Sequence, residues 1–514
     1  MVKALVPKDF LTETISLFSS ETAKAWNGAK PIMKCFQAKK FNYLYDTGTN
    51  RIYSCSPFEY SFLNNLLSLP IQDALDMSRY SCCVDEIIDG LKNIIRLIKE
   101  KNVMKATRIN IQVPDQWDES VHTTLGQIIL ETTERCNLRC RYCIYSPSFD
   151  QKRNHGTRDM PLDIAYLAID HLSSNSSLKK KVAISFYGGE PLLCFPFILD
   201  CVRYAKTKIP REKLYFSLTT NGTLLTREMA DYFFANEFGI HVSIDGPQDI
   251  HDENRIYSNG RGSFVETIRG MKYLLDAFGK EYNRLSVNMV YSPPYSEEKI
   301  SKIAAFWNDN PWIPKDISLS FSYQQRSIPP SQMNYDGIDY SVLNWTIKDY
   351  FESFQDGRRP HPIAAQVLEK KLAIIHKRYT FLEHIENSSL NACCMPAARK
   401  IYFAVDGRMS LCERVGSAPD FGNVRSGMNI ERIKQIFLFD YRDRSDFACS
   451  SCWCSRLCDI CYVQSYYNGS FDGRYKNYYC EIQKVLNETF LKLYCRLLEI
   501  DSRGLDYLSE MKIT

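Results

Sequence analysis

Between residues 125 and 325, short apolar runs alternate with longer stretches whose apolar residues recur at helical spacing. The runs Gln127–Leu130, Val182–Tyr187, Leu214–Thr220, Ile240–Asp245, Leu285–Tyr291 and Ile317–Phe321 read as strands. Strands alternating with helices favour a parallel sheet, so the fold class is α/β. Six strands with intervening helices predict a partial (β/α)6 TIM-type barrel. Residues 31–115 carry a different pattern. Phe41, Tyr43 and Tyr45 alternate, and Asp46-Thr47-Gly48-Thr49-Asn50 supplies turn residues before Arg51-Ile52-Tyr53, which predicts a hairpin. Ser56-Pro57-Phe58-Glu59 is a capping box with proline at the first helical position, continued by Phe62 and Leu66. A second helix shows Val84, Ile87, Ile88, Leu91, Ile95 and Ile98 on one face. Residues 326–390 are less regular, with helices expected near Val342–Phe354 and Ala364–Arg378. The pattern divides the chain into 1–118, 119–325, 326–390 as a helical bridge, and 391–514 with a C-terminal helix.

Composition narrows the class. A chain of 514 residues suggests roughly three domains. With 64 basic and 60 acidic residues the net charge is +4, too small to argue for nucleic acid. No run approaches the ~18 apolar residues of a membrane span. The first residues, with Lys8, Asp9 and Glu13, lack the apolar run of a signal peptide. Nineteen cysteines in such a chain fit a reducing, cytoplasmic compartment and metal–thiolate chemistry better than a disulfide scaffold.

The cysteines carry the chemistry. Cys136, Cys140 and Cys143 stand in ETTERCNLRCRYC with spacing CxxxCxxC, directly after the first strand. A cubane iron–sulfur cluster takes thiolate ligands on four irons. Three thiolates on one loop leave one iron open to a chelating molecule. A zinc knuckle is the alternative, although zinc sites favour paired CxxC units. A second set lies in CMPAARKIYFAVDGRMSLCERVG, with Cys394, Gly407 and Cys412, and in CSSCWCSRLCDIC, with Cys449, Cys452, Cys454, Cys458 and Cys461, followed by Cys480. Two zinc sites are the alternative here, since thiolates serve both metals. Cys393 and Cys454 stand beside ligand positions, so the register could shift to them. Cys35, Cys55, Cys82, Cys83, Cys194, Cys201 and Cys495 lack ligand spacing and are expected to be buried free thiols.

The three-cysteine loop resembles the signature of the radical S-adenosylmethionine (SAM) enzymes. The resemblance implies that the open iron takes the amino and carboxylate groups of SAM. Reductive cleavage then gives a 5′-deoxyadenosyl radical that abstracts hydrogen from carbon. It also implies the partial barrel, whose ligands sit at the C-terminal strand ends. By that resemblance Tyr142 lies near the adenine. Gly188-Gly189-Glu190-Pro191 is similar to the GGEP motif that contacts the SAM ammonium. Ser243 and Arg255, in the SIDGP…HDENR stretch, would hold the SAM carboxylate, and Asn221 the ribose.

The second cysteine set resembles the SPASM domain, the auxiliary-cluster extension of radical SAM peptide and protein maturases. Here Cys458 and Cys461 are two residues apart where the common pattern has three. The resemblance implies one auxiliary cluster on Cys449, Cys452, Cys458 and Cys480, and another on Cys394, Cys412 and Cys461. Three [4Fe-4S] clusters and SAM are the expected cofactors. Residues 31–115 resemble the winged-helix-like peptide-recognition domain fused to maturases of ribosomally made peptides. Cys412-Glu413-Arg414 and Cys452-Trp453 look most like thioether-forming members. The expected activity is thioether formation in a Cys-containing precursor peptide bearing a leader, with an external flavodoxin- or ferredoxin-type electron donor. Other SPASM reactions are the alternatives: carbon–carbon coupling, epimerisation, or formylglycine formation in a sulfatase. A decayed peptide-binding or electron-transfer protein is the non-enzyme alternative, against which the intact motif set argues.

Overall fold

Six parallel strands follow one another across the central sheet in the order the chain makes them. The computed structural model describes residues 8–145, 155–324, 340–389, 394–414 and 418–511, so Cys393 lies outside the described residues. Ahead of the sheet, the helix Lys8–Trp26 leads into an antiparallel sheet of β1 (Met33–Gln37), β2 (Asn42–Asp46) and β3 (Arg51–Cys55). The expected hairpin is β2–β3, and β1 is an added strand. Ser56 caps the next helix, Pro57–Ser68, in the expected capping box with Glu59. Phe58, Phe62 and Leu66 on it are buried against the helix Val84–Lys101. On that second helix Ile87, Ile88, Leu91, Ile95 and Ile98 are buried, but Val84 is exposed because it opens the first turn. Cys83 departs from the buried-thiol expectation as well: it is exposed and caps the helix by accepting from the Glu86 amide.

After the short β4 (Asn110–Gln112) come the six parallel strands: β5 (Gln127–Thr133), β6 (Val182–Gly188), β7 (Leu214–Thr220), β8 (Phe238–Ser243), β9 (Leu285–Tyr291) and β10 (Ser318–Tyr323). Each matches one expected strand, with β8 displaced toward its start. Helices between them bury one face on the sheet. Leu162–Ser174, for example, buries Ile164, Ala165, Ala168, Ile169 and Leu172. The bridge helices are Ser341–Gln355 and Pro362–His376.

The C-terminal segment extends the same sheet. β11 (Asn387–Ser389) pairs with β4, and β12 (Lys400–Phe403) lies parallel to β5. β13 (Arg408–Ser410), β14 (Gly422–Asn423) and β15 (Gly427–Met428) follow antiparallel. The sheet thus runs β10-β9-β8-β7-β6-β5-β12-β13-β14-β15. A last helix, Gly473–Leu498, buries Leu491, Tyr494 and Cys495 in a core shared with Phe36 of β1 and Tyr45 of β2. The β2–β3 turn rests directly on the cysteine-rich loop. Thr47 Oγ1 donates to the Trp453 carbonyl at 2.7 Å, and Arg456 Nε donates to the Thr47 carbonyl at 2.7 Å.

Candidate active site

The three-cysteine loop leaves the C-terminal end of β5, where a parallel α/β sheet presents ligands. Its backbone is pinned on both sides. Arg139 N donates to Ile256 O at 2.7 Å and Arg141 N to Asn254 O at 3.0 Å. Asn137 Nδ2 donates to Thr223 Oγ1 at 2.8 Å, and Asn221 Nδ2 donates to Asn137 Oδ1 at 2.9 Å. Main-chain amides point at sulfur: Leu138 N lies 3.4 Å from Cys136 Sγ, and Tyr145 N lies 3.5 Å from Cys143 Sγ. Cys136, Cys140 and Cys143 are all half-buried. Burial pushes the Cys136 and Cys140 thiols up to about 12, and raises Cys143 as well. Ligation must therefore release their protons.

Gly188 and Gly189 make the next wall. Gly188 has φ +127°, and a Cβ there would meet Thr133 O at 2.5 Å. A Cβ on Gly189 would meet Arg135 O at 2.0 Å. The two glycines let β6 run on against the cysteine loop, with Gly189 N donating to Thr133 O and Glu190 N to Arg135 O, each at 2.8 Å. The Glu190 side chain turns inward. It accepts from Thr220 Oγ1 at 2.7 Å, Asn221 N at 2.8 Å and Leu192 N at 3.1 Å. It therefore locks the ends of β6 and β7 together. Burial pushes the Glu190 carboxyl up to about 7.

Arg255 is buried beneath the loop and forms a side-on pair with Asp245: Nε to Oδ2 at 3.0 Å and Nη2 to Oδ1 at 3.1 Å. The Tyr142 hydroxyl also donates to Asp245, and its ring faces the guanidinium at 5.3 Å. Asp245 accepts a further bond from Val290 N at 3.0 Å. Tyr142 and Arg255 are thus oriented by one carboxylate, with the Nη1 edge of Arg255 left outside that pair. Ser243 ends β8 close by in sequence and is buried. Asp245 was not among the expected site residues, although it stands inside the SIDGP motif.

The second cysteine set forms two neighbourhoods. Cys452 neighbours Cys454, Cys458 and Cys480, and Cys480 in turn neighbours Cys449 and Cys458. Cys454 Sγ is 3.6 Å from Cys452 Sγ. That hydrogen bond, ahead of the opposing burial, draws the Cys452 thiol down to about 7. Cys394 and Cys412 lie beside Lys400 and Glu413, which pair at 3.1 Å. Cys461 opens the turn Tyr462–Ser465 and packs against the core that buries Cys412. Among the described residues, no three His, Cys, Asp or Glu side chains converge on a point that one metal ion would take. The half-buried thiols, the amides aimed at sulfur and the glycine wall at the three-cysteine loop fit a cluster with a chelated ligand.

Residues 130–306 match the model of the Radical SAM superfamily. An uncharacterised protein of Methanocaldococcus jannaschii is 33% identical over 182 residues, which cover 35% of this chain and 59% of that protein. A cysteine-type anaerobic sulfatase-maturating enzyme of Clostridium novyi is 29% identical over 240 residues, covering 46% and 62%. The serine-type enzyme of Bacteroides thetaiotaomicron is 32% identical over 161 residues, covering 31% and 38%. The chain therefore spans less than two thirds of the length of these relatives. The solved structure of native anSMEcpe with bound AdoMet superposes with a TM-score of 0.54 at 20% identity, covering 74% of this chain and 99% of that one, which is a likeness of fold. Among the described residues no helix is long and apolar enough to cross a membrane. A radical SAM domain implies one [4Fe-4S] cluster and SAM. The family match and the likeness of fold together place a radical SAM domain over residues 130–306.

Proposed function

We propose that this chain is a radical SAM peptide maturase that forms a thioether crosslink in a Cys-containing precursor peptide. Residues 391–514 would act as a SPASM domain with two auxiliary clusters. Cys449, Cys452, Cys458 and Cys480 would hold one, and Cys394, Cys412 and Cys461 the other. The observation that carries the reading is the short ligand set around Cys394 and Cys412. Of the upstream cysteines, Cys201 is buried in the core and Cys194 takes a hydrogen bond from Arg135 at 3.3 Å, while Cys393 is adjacent to Cys394, and two neighbouring residues seldom both reach one cluster. A three-thiolate cluster there leaves a position for the substrate thiolate.

When bound, the loop cluster and SAM supply the 5′-deoxyadenosyl radical. Cys136, Cys140 and Cys143 would hold that cluster, with Tyr142, Gly188, Gly189, Glu190, Asn221, Ser243 and Arg255 shaping the SAM site. Fixing the substrate sulfur near the reacting carbon removes much of the entropic barrier to bond formation. The atoms balance. The carbon would give one hydrogen atom to the 5′-deoxyadenosyl radical to form 5′-deoxyadenosine, the thiol would give a proton, and the second cysteine set would hold the iron–sulfur acceptor for the surplus electron. A flavodoxin- or ferredoxin-type donor would supply the electron that starts each turnover. Cys412→Ala should keep 5′-deoxyadenosine formation and lose crosslinking by at least about a hundredfold, the scale of a lost positioning element. Quantifying both products in one assay checks this, and an unchanged crosslink yield would reject the ligand role.

The N-terminal unit would receive the leader. β3 is the outer strand of its sheet, pairing only with β2 among the described strands, and an extended peptide adds to such an edge. Removing the leader from the peptide should weaken binding about tenfold or more, roughly 1.4 kcal/mol, without changing uncoupled SAM cleavage. Fluorescence anisotropy with labelled peptides measures it. Equal affinity of the leaderless peptide would contradict the role. The similarity to sulfatase-maturating enzymes favours formylglycine formation as the second reading. A sulfatase peptide that yields an aldehyde, while a Cys-containing precursor stays unchanged, would decide for it.

A further inference from the structure

Lys476 is 2% exposed, in the first turns of the helix Gly473–Leu498, and its ammonium points at sulfur. Nζ lies 3.4 Å from Cys449 Sγ and 3.9 Å from Cys480 Sγ. The Tyr441 ring, 5.6 Å away, closes a further side. No carboxylate pairs with Lys476 among the described residues. The contrast with Lys371, buried on the helix Pro362–His376 and reaching the same cysteine loop, is direct. Lys371 donates to the Leu457 carbonyl at 2.7 Å and pairs with Asp459 at 3.2 Å. Lys484 lies farther out and pairs with Glu481 at 2.7 Å. Among the described residues, the Lys476 ammonium meets sulfur and an aromatic face.

An isolated ammonium is costly to bury, and neutral thiols offset little of that cost. Thiolates do offset it. A cluster closed by four cysteine thiolates carries net negative charge, and hydrogen bonds and charge at its sulfurs set its potential. We propose that Lys476 is a positioning residue for the auxiliary cluster on Cys449, Cys452, Cys458 and Cys480, holding a fixed positive charge against two of its sulfurs so that the cluster accepts an electron more readily. This rests on the SPASM reading of those four cysteines. The consequence fits the proposed reaction, in which the surplus electron must leave the substrate through the auxiliary pair. A cation at this cluster makes it the better acceptor.

The test is an anaerobic redox titration of the reconstituted full-length enzyme, followed by electron paramagnetic resonance, with iron analysis on the same samples. The signal lost in Cys480→Ala identifies the cluster to follow. Lys476→Gln should move that signal to more negative potential and leave the other two in place, and Lys476→Arg should keep it near the wild-type value. If Lys476→Gln loses the iron of this cluster and Lys476→Arg retains it, the need for charge is shown by a second route. An unmoved potential in Lys476→Gln, or equal loss of iron in both variants, overturns the proposal. If Cys480→Ala loses neither iron nor a signal, the SPASM reading itself fails.

Discussion

Replacing Cys136, Cys140 and Cys143 together with alanine is expected to abolish 5′-deoxyadenosine formation and to remove about one third of the bound iron. The loop is pinned by hydrogen bonds that do not involve the thiols, through Asn137, Arg139 and Arg141, so its backbone should survive the change. The remaining cysteines sit in separate neighbourhoods at Cys394–Cys412 and Cys449–Cys480. They should keep their iron. Iron analysis and chromatography of the nucleoside product check the two halves. Persistent SAM cleavage would reject the loop as the cluster site, and complete loss of iron would show that the three sites assemble as one.

Asp245→Ala is expected to destabilise the protein by about 3–5 kcal/mol, the cost of leaving a buried guanidinium without its partner. The side chains are 7% exposed for Arg255 and 2% for Asp245, so solvent cannot take over the role. The same change removes the acceptor for Tyr142 and for the Val290 amide. SAM binding should fall with stability, because Tyr142 and Arg255 lose the group that orients them. Denaturant unfolding and equilibrium SAM binding measure the two effects. A loss below about 1 kcal/mol, the scale of a surface pair, with SAM affinity intact, would contradict this account of the site.

The parallel strands of the central sheet were legible because their apolar runs are continuous and bounded by turn residues. β7 and β9 fall on the expected residues, Leu214–Thr220 and Leu285–Tyr291. β8 starts earlier than its run suggests. Phe238-Gly239 belongs to it, and Gly239 breaks the pattern because a Cβ there would collide with the Tyr215 hydroxyl at 1.7 Å. The pairing of β12 with β5 is invisible to periodicity, since Lys400–Phe403 is short and its partner lies far away in sequence. β1 was missed because both sides of it are covered: Met33 and Cys35 face one core, and Phe36 faces another with Tyr45. In the site, spacing alone named the cysteines. Asp245 was hidden by its distance from Arg255, since the helix Gln248–Asn254 brings the two together. Cys454 stood two residues from Cys452 and so was visible as a neighbour of a ligand position, but the burial of Lys476 against the sulfurs is a fact of the fold with no spacing signal of its own.

Mass spectrometry of a precursor peptide, after anaerobic incubation with the enzyme, SAM and a reductant, tests the central claim most directly. The substrate to test is a short Cys-containing peptide encoded next to the gene of this chain, where the genome carries one. The account predicts a peptide lighter by two hydrogens, a cysteine that no longer alkylates, and one 5′-deoxyadenosine per crosslink. A product that has lost its sulfur and gained an aldehyde, or an unchanged peptide alongside rapid 5′-deoxyadenosine formation, would contradict it.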